Sequence, residues 1–151
     1  DHLEGETVKI WGDGAIRPDV TVTSGSITLA EEVSVAQIGL ASKYILNTLK
    51  VVSGNPAGTP LGKKKRIYGL TFALLNSHTI QYGPDSSNLT ARDFREVADP
   101  MDAGAPLFTG EQFVEFEGDW DTDTRIYLES DDPSPFGLLA IAPEININAL
   151  K

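Results

Sequence analysis

The chain has 151 residues and carries 22 acidic against 12 basic side chains, a formal net charge of -10 at pH 7. That excess argues against nonspecific binding to DNA, RNA or anionic membranes, which need clustered positive charge to release counterions. The lack of cysteine excludes a disulfide framework and thiolate metal sites, and no apolar run approaches the roughly 20 residues of a spanning helix. With 40% apolar and 23% charged residues the composition is that of one globular domain able to bury a sizeable core. The opening Asp1, with no methionine or signal-like apolar segment, points to an excised fragment or a processed product.

In chain order, residues 7–11 alternate apolar and polar, and Gly12-Asp13-Gly14 offers φ-permissive residues for a tight return into Ala15 and Ile16. Val20-Thr21-Val22-Thr23, turned by Ser24-Gly25 into Ser26-Ile27-Thr28-Leu29, predicts a second hairpin. Residues 33–38 alternate again, so residues 1–40 read as a small meander or barrel-like β subdomain, too small to be robust alone. Residues 42–52 fit either a strand or a helical stripe. A strand is preferred, because no cap precedes the segment and β-branched residues end it. Residues 53–62 hold two prolines and three glycines and predict a long turn or flexible loop.

Residues 66–76 form the longest apolar alternation. Tyr68, Leu70, Phe72 and Leu74 point one way and Ile67, Gly69, Thr71, Ala73 and Leu75 the other, as in a central strand. Residues 79–82 are predicted to pair back with it across a turn at 76–78, and the polar stretch 83–104, broken by Pro84 and Pro100, to cross between sheets. The clearest signal lies in residues 106–143. Strands are predicted at 112–117 and around Ile126 and Leu128, joined by a hairpin loop over 118–124. The nearly all-apolar run 136–142 predicts a third strand, covered on both faces. The fold class that follows is all-β: an antiparallel β-sandwich over residues 41–151 with the small β-barrel-like subdomain at its N-terminal end.

The candidate chemistry is sparse. Asp119, Asp121 and Asp123 have the alternate-residue spacing of calcium-loop ligands, but Thr124 stands where such a loop wants glycine and Ser130 where it wants glutamate, which favours a plain turn. His2 and His78 are the two histidines, far apart and without a metal-type spacing or a nucleophile-elbow motif. No phosphate-cradling glycine loop is present, and paired-carboxylate glycosidase chemistry has no specific support among so many acids. No catalytic, cofactor or metal residues are therefore assigned. Asn88-Leu89-Thr90 is a formal glycosylation sequon, relevant only in a secretory setting. Lys63, Lys64, Lys65 and Arg66 read as the solvated, association-blocking start of a strand in preference to a phosphate or acidic-partner patch. Trp11, Trp120 and Tyr127 sit near turns or strand ends, where rings either stack on sugars and partners or fold back over the core.

Three stretches in order, residues 1–29 with LEGETVKIWGDG, residues 62–77, and residues 99–144 with PLFTGE, DTDTR and DDPSPFGLLAIAPE, resemble the C-terminal region of the tail nozzle or tail stabilisation proteins of short-tailed bacteriophages. The likeness covers most of the chain and rests on the order and spacing of these elements; it departs from the family's pattern at Trp120 and Thr124. It implies a virion tail component, arranged in a ring with other copies of itself and contacting neighbouring tail proteins, through which the genome passes. No catalysis, no sequence-specific nucleic-acid binding and no membrane insertion are expected of it. Acidic side chains facing a channel would repel DNA phosphates and keep the conduit from trapping its cargo. The alternative is a carbohydrate-binding module for host-surface glycans, using Trp11, Trp120 or Tyr127 as stacking platforms.

Overall fold

The computed structural model describes residues 2–52 and 61–148, and the loop expected at 53–62 falls largely outside the described residues. Ten strands and no helix occur among the described residues: β1 Thr7–Gly12, β2 Ala15–Thr21, β3 Ala36–Leu40, β4 Tyr44–Asn47, β5 Lys65–Ser77, β6 Thr79–Asp85, β7 Asn88–Asp93, β8 Phe108–Glu115, β9 Tyr127–Ser130 and β10 Leu138–Ile147. They form three antiparallel sheets, ordered β2-β1-β3, β10-β5-β8 and β4-β9-β6-β7. The all-β, sandwich-like fold read from the sequence is the fold observed.

In the first sheet Val8 and Ile10 of β1 point inward as the alternation requires and pack with Val22, Leu3, Val20, Ile27 and Leu29. Asp13 and Gly14 turn the β1–β2 hairpin with φ of 49° and 78°, the left-handed pair that suits strand twist. The Asp13 carboxylate accepts the amides of Ser34 and Val35 at 2.8 and 2.9 Å, fastening the approach to β3 onto that turn. At Ser24-Gly25 the expected turn forms and is capped by Glu4, which accepts both amides at 2.7 Å. The second hairpin arm does not form. Only Thr23 and Ser26 bridge, because Ile27 and Leu29 leave the ladder to fold over the small core. β3 likewise starts later than expected, at Ala36.

The larger core lies between the other two sheets, where β5 contributes Ile67, Leu70, Phe72 and Leu74, β6 Ile80 and Tyr82, β8 Val114 and β9 Leu128, with Phe94, Phe116 and Ile126 from connections. The β5–β10 ladder slips between Ile67 and Gly69, so Tyr68 forms a bulge and the inward row changes phase there. Ile67 is therefore buried and Tyr68 is 42% exposed, the reverse of the unbroken alternation expected at this end of the strand.

β6 does not pair back on β5. Both edges of β5 are taken, by β8 and β10, so the chain has no ladder to join and passes at Ser77–His78 into the opposite sheet, where β6 pairs with β7 and β9. Ser77 is buried at this crossing and its hydroxyl receives the Gly137 amide at 3.1 Å. Residues 83–104 hold more order than expected, since they finish β6 and contain β7; the crossing to β8 is made by 94–107. The link from β8 to β9 is likewise an arch between sheets, not a hairpin, pinned to the start of β5 by the Lys65–Asp121 bridge. β10 is an edge strand, with Leu139 exposed, and is not covered on both faces. β4 is a four-residue edge strand within the 42–52 segment.

The small sheet rests on the sandwich. The Trp11 and His78 rings meet in a T-shaped arrangement with centroids 5.0 Å apart. Lys9 bridges Asp19 at 3.1 Å and Asp131 at 3.4 Å, and Gly104 lies so close to Gly14 that a Cβ there would meet its carbonyl oxygen at 2.5 Å.

Candidate functional site

A cleft of about 610 Å³ opens between the β6–β7 hairpin and the arch at 117–125. The hairpin reaches it because Gly83 lets the two strands close: a Cβ at Gly83 would lie 1.8 Å from the Asn88 carbonyl oxygen. At the hairpin tip Asp85 accepts the amide of Ser87 at 2.7 Å and both the amide and side chain of Asn88. Opposite, Asp121 accepts the backbone amides of Thr122 and Asp123, and Asp123 pairs with Arg125 through two hydrogen bonds of 3.0 and 3.1 Å. These bonds favour the ionised acids. The Asn88 side chain holds Asp85 below the usual carboxylate range, the Asp123 amide does the same for Asp121, and Arg125 does so for Asp123.

The cleft therefore carries charge but has spent most of it on its own walls. Asp121 and Asp123 stabilise the arch, and Thr124, which stands where a calcium loop wants glycine, is buried and donates to the Lys65 carbonyl at 3.2 Å. Among the described residues no group of three His, Cys, Asp or Glu side chains converges as a metal site would require. The sequon asparagine is equally engaged, its side-chain nitrogen donating to the Asp85 carboxylate at 3.1 and 2.9 Å from the two oxygens.

The three candidate aromatic platforms are not brought together. Trp11 is turned against His78 and serves the joint between the two parts of the fold. Tyr127 is half-buried in β9, and its hydroxyl donates to Glu129 at 2.8 Å, which in turn pairs with Lys43 at 2.9 Å. Trp120 alone presents a ring, 45% exposed, between Asp119 and Asp121, which both line the cleft. His2 is exposed and His78 half-buried. The basic cluster is not uniformly solvated. Lys63, Lys64 and Arg66 are exposed, but Lys65 is 1% exposed, its ammonium donating to the Thr122 carbonyl at 3.1 Å. Burial holds the Lys65 ammonium below its ordinary pKa, and Lys50 nearby adds to the effect.

Sequence reasoning missed one exposed apolar stretch. Val35, Ile38, Leu40, Ile45, Leu46, Leu49 and Val52 are all exposed, along β3, β4 and the segments beside them. The available signal was the combination of short strands with apolar residues on both faces, which neither core among the described residues covers. No family model matches the chain, and no curated protein matches it.

Proposed function

We propose that the chain is a structural component of a bacteriophage tail, of the nozzle or stabilisation kind, acting in tail assembly and genome passage without catalysis. The observation that supports this reading best is a contrast. In the cleft Asp85, Asp121 and Asp123 are engaged by Asn88, by backbone amides and by Arg125, whereas Ile38, Leu40, Ile45 and Leu46 stand exposed on the edge strands β3 and β4, where a building block makes its contacts. The resemblance, in order, of its sequence elements to those of tail nozzle and stabilisation proteins and the net charge of -10, suited to a conduit that must not retain DNA, point the same way. The test is to locate the chain in purified particles of the virus that encodes it, by labelling and electron cryomicroscopy. Density for it at the distal end of the tail is the expected result. Its absence from infectious particles would overturn the proposal.

A second reading, recognition of host-surface glycans, is favoured by the exposed Trp120 between two acids of the cleft. It predicts saturable quenching of tryptophan fluorescence by a polysaccharide, lost in Trp120→Ala. Silence across a broad polysaccharide panel would remove it.

A further inference from the structure

A run of exposed cations at the start of a strand ordinarily blunts a free sheet edge. At residues 63–66 there is no edge to blunt. β5 lies between β10 and β8. Lys65 is paired on one side with Ile147 and on the other with Asp121, with which it exchanges backbone hydrogen bonds of 2.8 and 3.0 Å. Nor do these cations hold the fold together. Lys9, Arg17, Lys43 and Arg125 form ion pairs, Arg95 donates to the Pro100 and Ala103 carbonyls, and Lys65 is buried. Lys50, Lys63, Lys64 and Arg66 form no ion pair among the described residues, and neither does Arg92 on β7. The first four meet at one end of the sandwich: Lys50 acts electrostatically on Lys65, and Val51 beside it donates to the Thr124 carbonyl at 3.0 Å. Residues 50, 63–66 and the arch 117–125 carry six cations against four carboxylates, on a chain whose net charge is -10. Of those carboxylates Asp121 is held by backbone amides and Asp123 by Arg125, while Glu144, farther along β10, takes the Tyr68 hydroxyl.

We propose that this end of the sandwich binds an anionic glycan, with Lys63, Lys64 and Arg66 engaging phosphate or carboxylate substituents and the Trp120 ring stacking on a neighbouring sugar. In an antiparallel pairing the residue before Asp121 stands opposite the residue after Lys65, so the bridge sets Trp120 across from Arg66. Both are exposed. The pair suits a sugar with a charged substituent: the ring takes the apolar C–H face, and the guanidinium presents a fixed fork of N–H donors to phosphate or carboxylate. The charge of the whole chain then selects how the ligand's charges are spaced. A local patch attracts anions over about 8 Å before salt screens it, while the rest of the surface repels them. Anionic groups set apart along a glycan satisfy both conditions. Duplex DNA, with about one negative charge per 1.7 Å of its axis, does not.

The inference rests on the glycan reading above and narrows it, and the two fail differently. Titration calorimetry of the purified chain with dextran, dextran phosphate and carboxymethyl dextran compares one sugar backbone in uncharged and charged forms. Binding of the charged polymers and not of dextran is expected, weakening as salt is added. Binding of only one charged polymer also supports the inference and identifies the substituent. Replacing Lys63, Lys64 and Arg66 together by Gln should weaken binding about tenfold, and Trp120→Ala should weaken it further, whereas Arg92→Gln should bind as wild type. All these positions are exposed, and unchanged melting of each variant confirms that it folds. Equal binding of dextran, no binding of either charged polymer, a triple variant that binds as wild type, or an Arg92→Gln chain weakened as much would overturn the inference. Tighter binding of an oligothymidylate of matched charge would overturn it too, marking the patch as a nucleic-acid surface. The glycan reading survives each of these results if another polysaccharide quenches Trp120, and falls only with silence across the panel.

Discussion

Gly83 gives the sharpest test of how the β6–β7 hairpin and the cleft above it are built. An added methyl there would lie 1.8 Å from the Asn88 carbonyl oxygen, 2.9 Å from its carbon and 3.3 Å from the Leu89 Cα, whereas ordinary contact begins at 3.4 Å. All three atoms are backbone of the partner strand or its turn, so no side chain can rotate away and the strands must part. Overpacking of this kind costs about 3 kcal/mol, and a domain of this size loses roughly 2–4 °C of Tm per kcal/mol. Gly83→Ala should therefore melt roughly 6–12 °C below wild type. Gly39→Ala in β3 is the matched control. It has nothing within 4 Å of the new methyl, and it should be unchanged or up to about 1 kcal/mol more stable through a less flexible unfolded chain. The assay is urea and thermal unfolding followed by circular dichroism. If Gly83→Ala and Gly39→Ala unfold together, the close approach at Asn88 is wrong and so is the hairpin that frames the cleft.

Other outcomes follow from the same packing. Phe72→Ala, which empties a fully buried site beside the Tyr82 ring, should cost about 3–5 kcal/mol in urea unfolding. Burial pushes the Tyr44 phenol from 10.0 up to about 12, against a partly opposing Ser130 hydroxyl. The folded chain then keeps a proton that the unfolded chain releases, so this contribution is complete below pH 10 and is lost as pH rises towards about 12. Tyr44→Phe should flatten that stretch of the stability profile. Calcium or a chelator should leave the melting temperature unchanged, since Asp121 and Asp123 are already bound to backbone amides and Arg125. A rise in Tm with calcium would show that the arch opens to take the ion. Lys65→Met should stay within about 1 kcal/mol of wild type, because losing the Thr122 hydrogen bond is offset by no longer burying an ammonium.

The strands were legible where side-chain period alone decides them. Val8 and Ile10, or Leu70, Phe72 and Leu74, alternate and are buried as read. What local pattern does not carry is which strands share a sheet. The segments 112–117 and 126–128 look like a hairpin around an Asp- and Thr-rich turn, yet that turn spans two sheets, because Asp121 bridges backbone to Lys65, far away in the chain. β6 looked like the partner of β5 for want of any sign that β5 is saturated on both edges. Tyr68 escaped the expected row through a bulge, and nothing in RIYGLTF announces an extra residue except the glycine beside it. The site fared similarly. The acids of 119–123 were visible, whereas their consumption by neighbouring amides and Arg125 is a matter of loop geometry. The Asp85–Asn88 clasp lay in a stretch read as a connection.

A tail building block of the proposed kind would work through its strand edges and not through the cleft. Hydrogen exchange measured on the dispersed chain and on the assembled particle compares the two directly. Amides of Ile45, Leu46 and Asn47 should gain strong protection on assembly, while those of residues 117–125 keep the exchange they show in the isolated chain. Protection gained across 117–125 with β4 unchanged would contradict the account.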